Sequence, residues 1–128
     1  MRQLVLIAIG GSLGALARYG ISLVVYHQGG ETFPWGTLVV NITGCFLIGF
    51  FSGIFEGTII PSAWRSFITI GFIGAYTTFS TYSFETVNLL QDGEISLATA
   101  NILANNVFGI AFVLLGSGIS RLMLKTIA

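Results

Sequence analysis

Six of the seven residues from Thr77 to Ser83 carry a hydroxyl, and they follow Gly71 and Gly74 inside an otherwise apolar stretch. In a helix, Ser and Thr can bond back to the carbonyl four residues earlier, which accounts for two or three such residues but hardly six. Hydroxyls and β-branching clustered beside Gly74 predict a local unwinding that frees carbonyl oxygens and amide hydrogens. A bilayer tolerates that only where the backbone faces protein or a water-filled path. Free carbonyls suit a hard monovalent cation, while hydroxyl and amide hydrogens suit a small anion, so sites of both signs can coexist. Phe79 and Tyr82 are three apart and share a face where the helix resumes. Their electropositive ring edges could line an anion path, and ordinary aromatic packing is equally open to them. Glu85 is one acid with no obvious partner except Arg18; a structural pair and a pore-mouth charge are both open.

Four amides extend the polar set. Asn41 falls in the second apolar stretch, and Asn101, Asn105 and Asn106 fall in the last. An amide in hydrocarbon must find a partner on another helix or face water. Asn101, Asn105 and Gly109 step by four, which puts two amides and a gap on one helix face, a polar track. Catalytic chemistry is poorly supplied. His27 is the one histidine and lies in a polar loop, and no base stands beside any serine. The run Gly10, Gly11, Ser12, Leu13, Gly14 lacks the glycine spacing of a dinucleotide fingerprint.

The elements that must position these groups follow from composition. The 128 residues are 54% hydrophobic and 8% charged, five basic and five acidic, whereas a soluble domain carries about 25% charged residues. A soluble globular domain is excluded, and zero formal net charge offers no field for nucleic acid. The expectation is an all-α membrane protein, one domain over residues 1–128, with four spans at about 4–26, 35–55, 64–90 and 95–122 and the third broken near its middle. The third is longer than one hydrocarbon core requires, which leaves length for the break. The start could pass for a secretory signal ending near Ala15 and Ala17, but Gly10, Gly11 and Gly14 interrupt its apolar core and an uncleaved first helix is expected. Glycines at four-residue steps, Gly10 with Gly14 and Gly49 with Gly53 and Gly57, predict close helix contacts. Cys45 is the single cysteine and can form no internal disulfide. Arg2, Arg65, Arg121 and Lys125 fall on one side of the four-span scheme and Glu31, Asp92 and Glu94 on the other, which predicts cytoplasmic termini.

Three motifs in order, GGSLGALARY (Gly10 to Tyr19), GTLVVNITGCFLIG (Gly36 to Gly49) and GFIGAYTTFSTYSFE (Gly71 to Glu85), give the chain a resemblance to the fluoride channel family known as Fluc or CrcB. The resemblance implies a small multi-pass protein of the prokaryotic cell membrane that lets fluoride leave the cell passively. It implies an antiparallel, dual-topology dimer, either a homodimer or a heterodimer with an oppositely oriented paralogue, with two pores and a structural sodium ion that is not transported. By the same resemblance, backbone carbonyls of Gly74 and Thr77 would bind the sodium. Asn41, Phe79, Tyr82, Ser80, Thr81, Asn105 and Asn101 would line the anion pathway.

Two positions depart from the family's usual pattern. Tyr82 stands where phenylalanine is usual, and its hydroxyl could donate to the anion or block it; Asn101 and Asn105 stand where tyrosine and serine are common. The charge bias also favours one orientation, whereas an antiparallel homodimer needs both. Fluoride is small and tightly hydrated, so a pore must replace its water with strong donors, and no acid, metal centre or nucleophile is required. Hydrogen fluoride enters cells neutral and ionises inside, so a passive channel suffices for the anion to leave. A small proton-coupled drug exporter of similar size would need a carboxylate in the first span, where this chain has Arg18 and no acid. A purely structural, holin-like subunit would leave the hydroxyl cluster and Asn41 idle.

Overall fold

A computed structural model describes residues 1–127 of the chain. All its regular elements are helical: α1 (Arg2–Gly29), α2 (Trp35–Gly57), α3 (Ser62–Ser66), a π-helical segment (Phe67–Ile73), α4 (Gly74–Tyr76), α5 (Phe79–Gln91) and α6 (Ile95–Ile127). Three of them, α1, α2 and α6, are long and apolar enough to cross a membrane. With 28, 23 and 33 residues, each exceeds the roughly 20 residues that a hydrocarbon core demands. Apolar side chains cover the outside, Leu16, Ile70, Phe84, Leu103 and Leu114 among them, and few large side chains are fully enclosed. That distribution suits a bundle whose solvent is lipid. The chain is a multi-pass membrane protein.

Between Ser62 and Gln91 the helix is discontinuous. Pro61, which lacks an amide hydrogen and has its φ fixed by its ring, leads into α3. The backbone then widens into the π segment, narrows to the single turn α4, and becomes extended at Thr77 (φ −82°, ψ 157°) and Thr78 (φ −149°, ψ 112°). Helix resumes at Phe79, with the Thr78 hydroxyl accepting from Thr81 N at 3.2 Å as an N-cap. The break therefore lies within the hydroxyl cluster.

Glycine sets the helix contacts. A methyl on Gly49 would overlap the Val113 carbonyl, and one on Gly14 would overlap the Phe72 carbonyl. The α2 and α6 backbones thus touch along one seam, and α1 lies as closely on the π segment. Such approach replaces the hydrophobic drive that lipid does not supply. At one end of the bundle Arg65 closes the α2–α3 loop, donating to the carbonyls of Ile60 (3.0 Å), Phe55 (3.2 Å) and Thr58 (3.4 Å). Arg121 pairs with Glu56 at that same end.

Candidate functional site

The break is held from across the bundle by Asn41 on α2. Thr78 N donates to Asn41 Oδ1 at 2.8 Å, and Asn41 Nδ2 donates back to the Thr78 carbonyl at 3.1 Å. One amide thus replaces the ladder bond that Thr78 N forgoes and adds a second donor to the Thr78 carbonyl, which as N-cap also accepts the first bond of α5. The second hydrogen of Nδ2 goes to Asn105 Oδ1 on α6 at 3.0 Å. Asn41, expected on the anion pathway, borders the cavity beside the break but has both its amide hydrogens engaged within the chain.

The Gly74 and Thr77 carbonyls are among those that this arrangement releases. In a continuous helix the Gly74 carbonyl would accept from Thr78 N, and the Thr77 carbonyl from Thr81 N. Those amides point instead to Asn41 Oδ1 and the Thr78 hydroxyl. Gly74 is itself exposed at the surface of the chain.

From Asn41 the hydrogen bonds run in one direction through the bundle. Asn105 Nδ2 donates to Asn101 Oδ1 at 2.9 Å, Asn101 Nδ2 to Thr86 Oγ1 at 2.9 Å, and Thr86 Oγ1 to the Tyr82 carbonyl at 2.8 Å. Asn101, expected on an open anion track, is instead 0% exposed. It sits behind Asn105, which does face open space. The four-residue spacing placed both amides on one face but gave no depth. Thr78, the N-cap of α5, and Thr86 within it, which begin this chain of bonds and pass it to the Tyr82 carbonyl, were not singled out from sequence. Their signal was diluted, one among six neighbouring hydroxyls and the other a lone threonine that a back-bond would satisfy.

A cavity of about 400 Å³ opens beside the break, lined by Asn41, Gly74, Thr77, Thr78, Phe79, Tyr82, Asn105 and Asn106, with Cys45 and Thr69 among the rest. Phe79 stands at its rim, 79% exposed, while Tyr82 is 9% exposed. Their rings lie 5.5 Å apart at an angle of 56°. Ser80 and Thr81 are exposed beyond the rim and do not line the cavity. Thr78 Oγ1 donates to Thr81 Oγ1 at 3.0 Å and lies 3.4 Å from Ser80 Oγ. Most donors on the wall are already engaged, Thr69 Oγ1 on the Arg65 carbonyl and Thr77 Oγ1 on the Ile73 carbonyl. Asn106, given no role from sequence beyond being one of the fourth-helix amides, donates to the Ile102 carbonyl at 2.8 Å and to Tyr82 Oη at 3.3 Å.

Glu85 and Arg18 do not form the ion pair that was one of their two expected roles. Among the described residues the ion pair is Arg121–Glu56. Glu85 Oε1 accepts from Thr37 Oγ1 at 2.8 Å, and Oε2 is buried without a partner. Thr37 on α2, not Arg18 on α1, is the side chain that reaches the carboxylate. Glu85 also lines a second cavity, of about 270 Å³, together with Glu31 and Asp92. Tyr26 donates to Glu31 there. One end of the bundle thus gathers carboxylates, while Arg65, Arg121 and Lys125 gather near Glu56 at another.

Fold and site together define a membrane protein built around a helix broken in a polar interior, the architecture of an ion pathway. The sequence profile described as CrcB-like protein, Camphor Resistance (CrcB), matches residues 5–117, and the chain belongs to that family. Its relatives include proteins named fluoride-specific ion channel FluC. The one from Salinibacter ruber is 44% identical over 124 residues, covering 97% of this chain and 93% of the relative. That from Magnetococcus marinus is 42% identical, covering 94% and 99%, and that from Citrifermentans bemidjiense is 46% identical, covering 94% and 98%.

Proposed function

We propose that this chain is a fluoride-specific channel that lets the anion leave the cell passively and so lowers its concentration in the cytoplasm. The observation that carries the reading is the 42–46% identity, over nearly the whole of both chains, to proteins named fluoride-specific ion channels. The discontinuous stretch from Ser62 to Gln91 supplies a fourth crossing, its break facing the interior rather than lipid. Passive conduction asks for no catalytic group. The drug-exporter alternative has no seat, because α1 carries no carboxylate.

The functional unit is a dimer of antiparallel chains. A cavity of about 400 Å³ has room for roughly a dozen waters at about 30 Å³ each, so one chain by itself does not make an anion filter. An exposed Phe79 at its rim and an exposed Gly74 beside it suit coverage by a second chain, either a copy or an oppositely oriented paralogue. The anion path runs along Phe79, Tyr82, Ser80, Thr81 and Asn105, with Asn41 and Asn101 behind it as the frame. Arg18 and Glu85 stand toward its approaches. The carbonyls of Gly74 and Thr77 fit a sodium ion. Both have lost their helical donors, and neutral oxygens suit a hard monovalent cation. When bound, the ion would supply positive charge and tie together the carbonyls of two chains, without moving across the membrane.

The test is efflux from liposomes holding the purified chain. Fluoride loss without chloride loss is expected. Parallel loss of both anions, or chloride loss alone, would refute fluoride specificity. If the chain alone is silent, co-reconstitution with an oppositely biased paralogue is expected to restore fluoride flux.

A further inference from the structure

We infer that Tyr82 is a hydrogen-bond donor to the permeating anion and that Asn106 is the residue that positions its hydroxyl. The inference rests on the fluoride reading above and assigns a role to Asn106. Along the cavity wall, the hydrogens of the amides and threonines are engaged by the chain itself. Tyr82 Oη differs, because it accepts from Asn106 Nδ2 at 3.3 Å and its own hydrogen has no protein acceptor among the described residues. Cys45 offers a weak thiol donor in addition, and the Phe79 backbone amide, in the first turn of α5, has no intrahelical acceptor.

The polarity of the pair is fixed one helical turn away. Asn106 Nδ2 also donates to the Ile102 carbonyl at 2.8 Å, so the nitrogen, not the oxygen, of the amide faces Tyr82. A phenolic hydrogen lies in the ring plane on one side of the oxygen or the other. With Asn106 directed at one lone pair, the hydrogen turns to the remaining in-plane position. Tyr82 lines the cavity, and most of its ring is buried behind it. A phenylalanine there would offer only the weak positive edge of its ring, whereas an O–H to a bare anion is a charge-assisted hydrogen bond. The hydroxyl thus supplies one of the strong donors that must stand in for fluoride's water shell.

The experiment is a four-member cycle of the parent chain, Tyr82→Phe, Asn106→Leu and the double variant. Each is reconstituted, with its partner chain where one is required, and assayed for fluoride flux against fluoride concentration with chloride as control. Line broadening of the ¹⁹F signal on detergent-purified protein gives half-saturation by binding alone. Tyr82→Phe is expected to raise the half-saturating fluoride roughly tenfold, the equivalent of one hydrogen bond to an ion. Asn106→Leu should approach that shift in the parent and change half-saturation by less than about twofold in the Tyr82→Phe background, where there is no hydroxyl to position. An unchanged half-saturation in Tyr82→Phe, or faster flux from it, would overturn the inference, the latter marking the hydroxyl as an obstruction. An Asn106→Leu effect undiminished in the Tyr82→Phe background would show a purely structural amide and overturn the positioning role. Absence of fluoride binding and flux from all four folded proteins would instead bring down the fluoride reading itself.

Discussion

Replacing Asn41 with alanine isolates what the α2 amide does for the broken helix. Three hydrogen bonds go at once, two of them to the backbone of Thr78, which is buried. A buried group left without a partner costs about 1–3 kcal/mol. Asn105 Oδ1 lines the cavity, where a water can replace its lost donor at little cost. The Thr78 amide is the group at risk, since the carbonyl keeps the first bond of α5, so the range is about 1–3 kcal/mol. The middle of that range, near 2 kcal/mol, is about a 30-fold shift in the unfolding equilibrium. Equilibrium unfolding in mixed micelles, with hydrogen exchange at the Thr78 amide, reads both the size and the place of the effect. Exchange at Thr78 should accelerate while the α2–α6 seam stays protected. A variant that unfolds within about 0.5 kcal/mol of the parent, inside the spread of an ordinary surface substitution, with Thr78 exchange unchanged, would refute the idea that Asn41 holds the break.

Other substitutions separate function, packing and charge. Asn41→Asp keeps an acceptor for Thr78 N but sets a negative charge beside the cavity, and liposome efflux of fluoride should fall to background; undiminished flux would place Asn41 off the path. Gly49→Ala pushes a methyl into the Val113 carbonyl and should cost about 1–3 kcal/mol in micelle unfolding. Gly20→Ala, with open space around it, should be neutral or stabilising by up to about 1 kcal/mol. Arg65→Ala removes three bonds to loop carbonyls and should cost about 2–3 kcal/mol. Arg65→Lys should recover little of that, since an ammonium cannot reproduce the planar fork. Arg121→Ala breaks only an exposed pair with Glu56, and its unfolding midpoint should stay within about 0.5 kcal/mol of the parent.

The long helices were legible because lipid imposes a simple rule on composition: about 20 apolar residues per crossing. The expected limits 4–26, 35–55 and 95–122 fall inside the observed Arg2–Gly29, Trp35–Gly57 and Ile95–Ile127. Glycine seams were legible for a related reason, since four-residue steps lie on one face of any helix. The break was legible as a region but not as a residue. Six hydroxyls in seven positions announce backbone that cannot all be satisfied locally. Which residue turns extended is decided by an amide 37 positions away, in the bond from Thr78 to Asn41. Likewise, Asn101 and Asn105 share a face by spacing, yet only the packing of α5 against α6 buries one and leaves the other on the cavity. The π segment at Phe67–Ile73 left no mark in the sequence, although the glycines that lie against it in α1, Gly10 and Gly14, did. Arg65 was read as a topological charge, whereas its guanidinium caps carbonyls at the end of α2.

The route of the polar bonds explains why a broken helix can persist here at all. Starting at the Thr78 amide, the bonds pass through Asn41, Asn105, Asn101 and Thr86 and end on the Tyr82 carbonyl. Both ends therefore lie at the start of α5, four residues apart, and the loop passes through α2 and α6 between them. A run of donors all pointing the same way is self-reinforcing, because each amide that donates becomes a better acceptor. The loop fixes the height and rotation of α5 against the two helices that touch along the glycine seam. That in turn sets where the Phe79 and Tyr82 rings stand over the cavity. Asn41, Asn105 and Asn101 thus hold the broken helix in place. Beside the cavity, the Tyr82 hydroxyl keeps a hydrogen without a protein acceptor among the described residues, a donor that a phenylalanine there would lack.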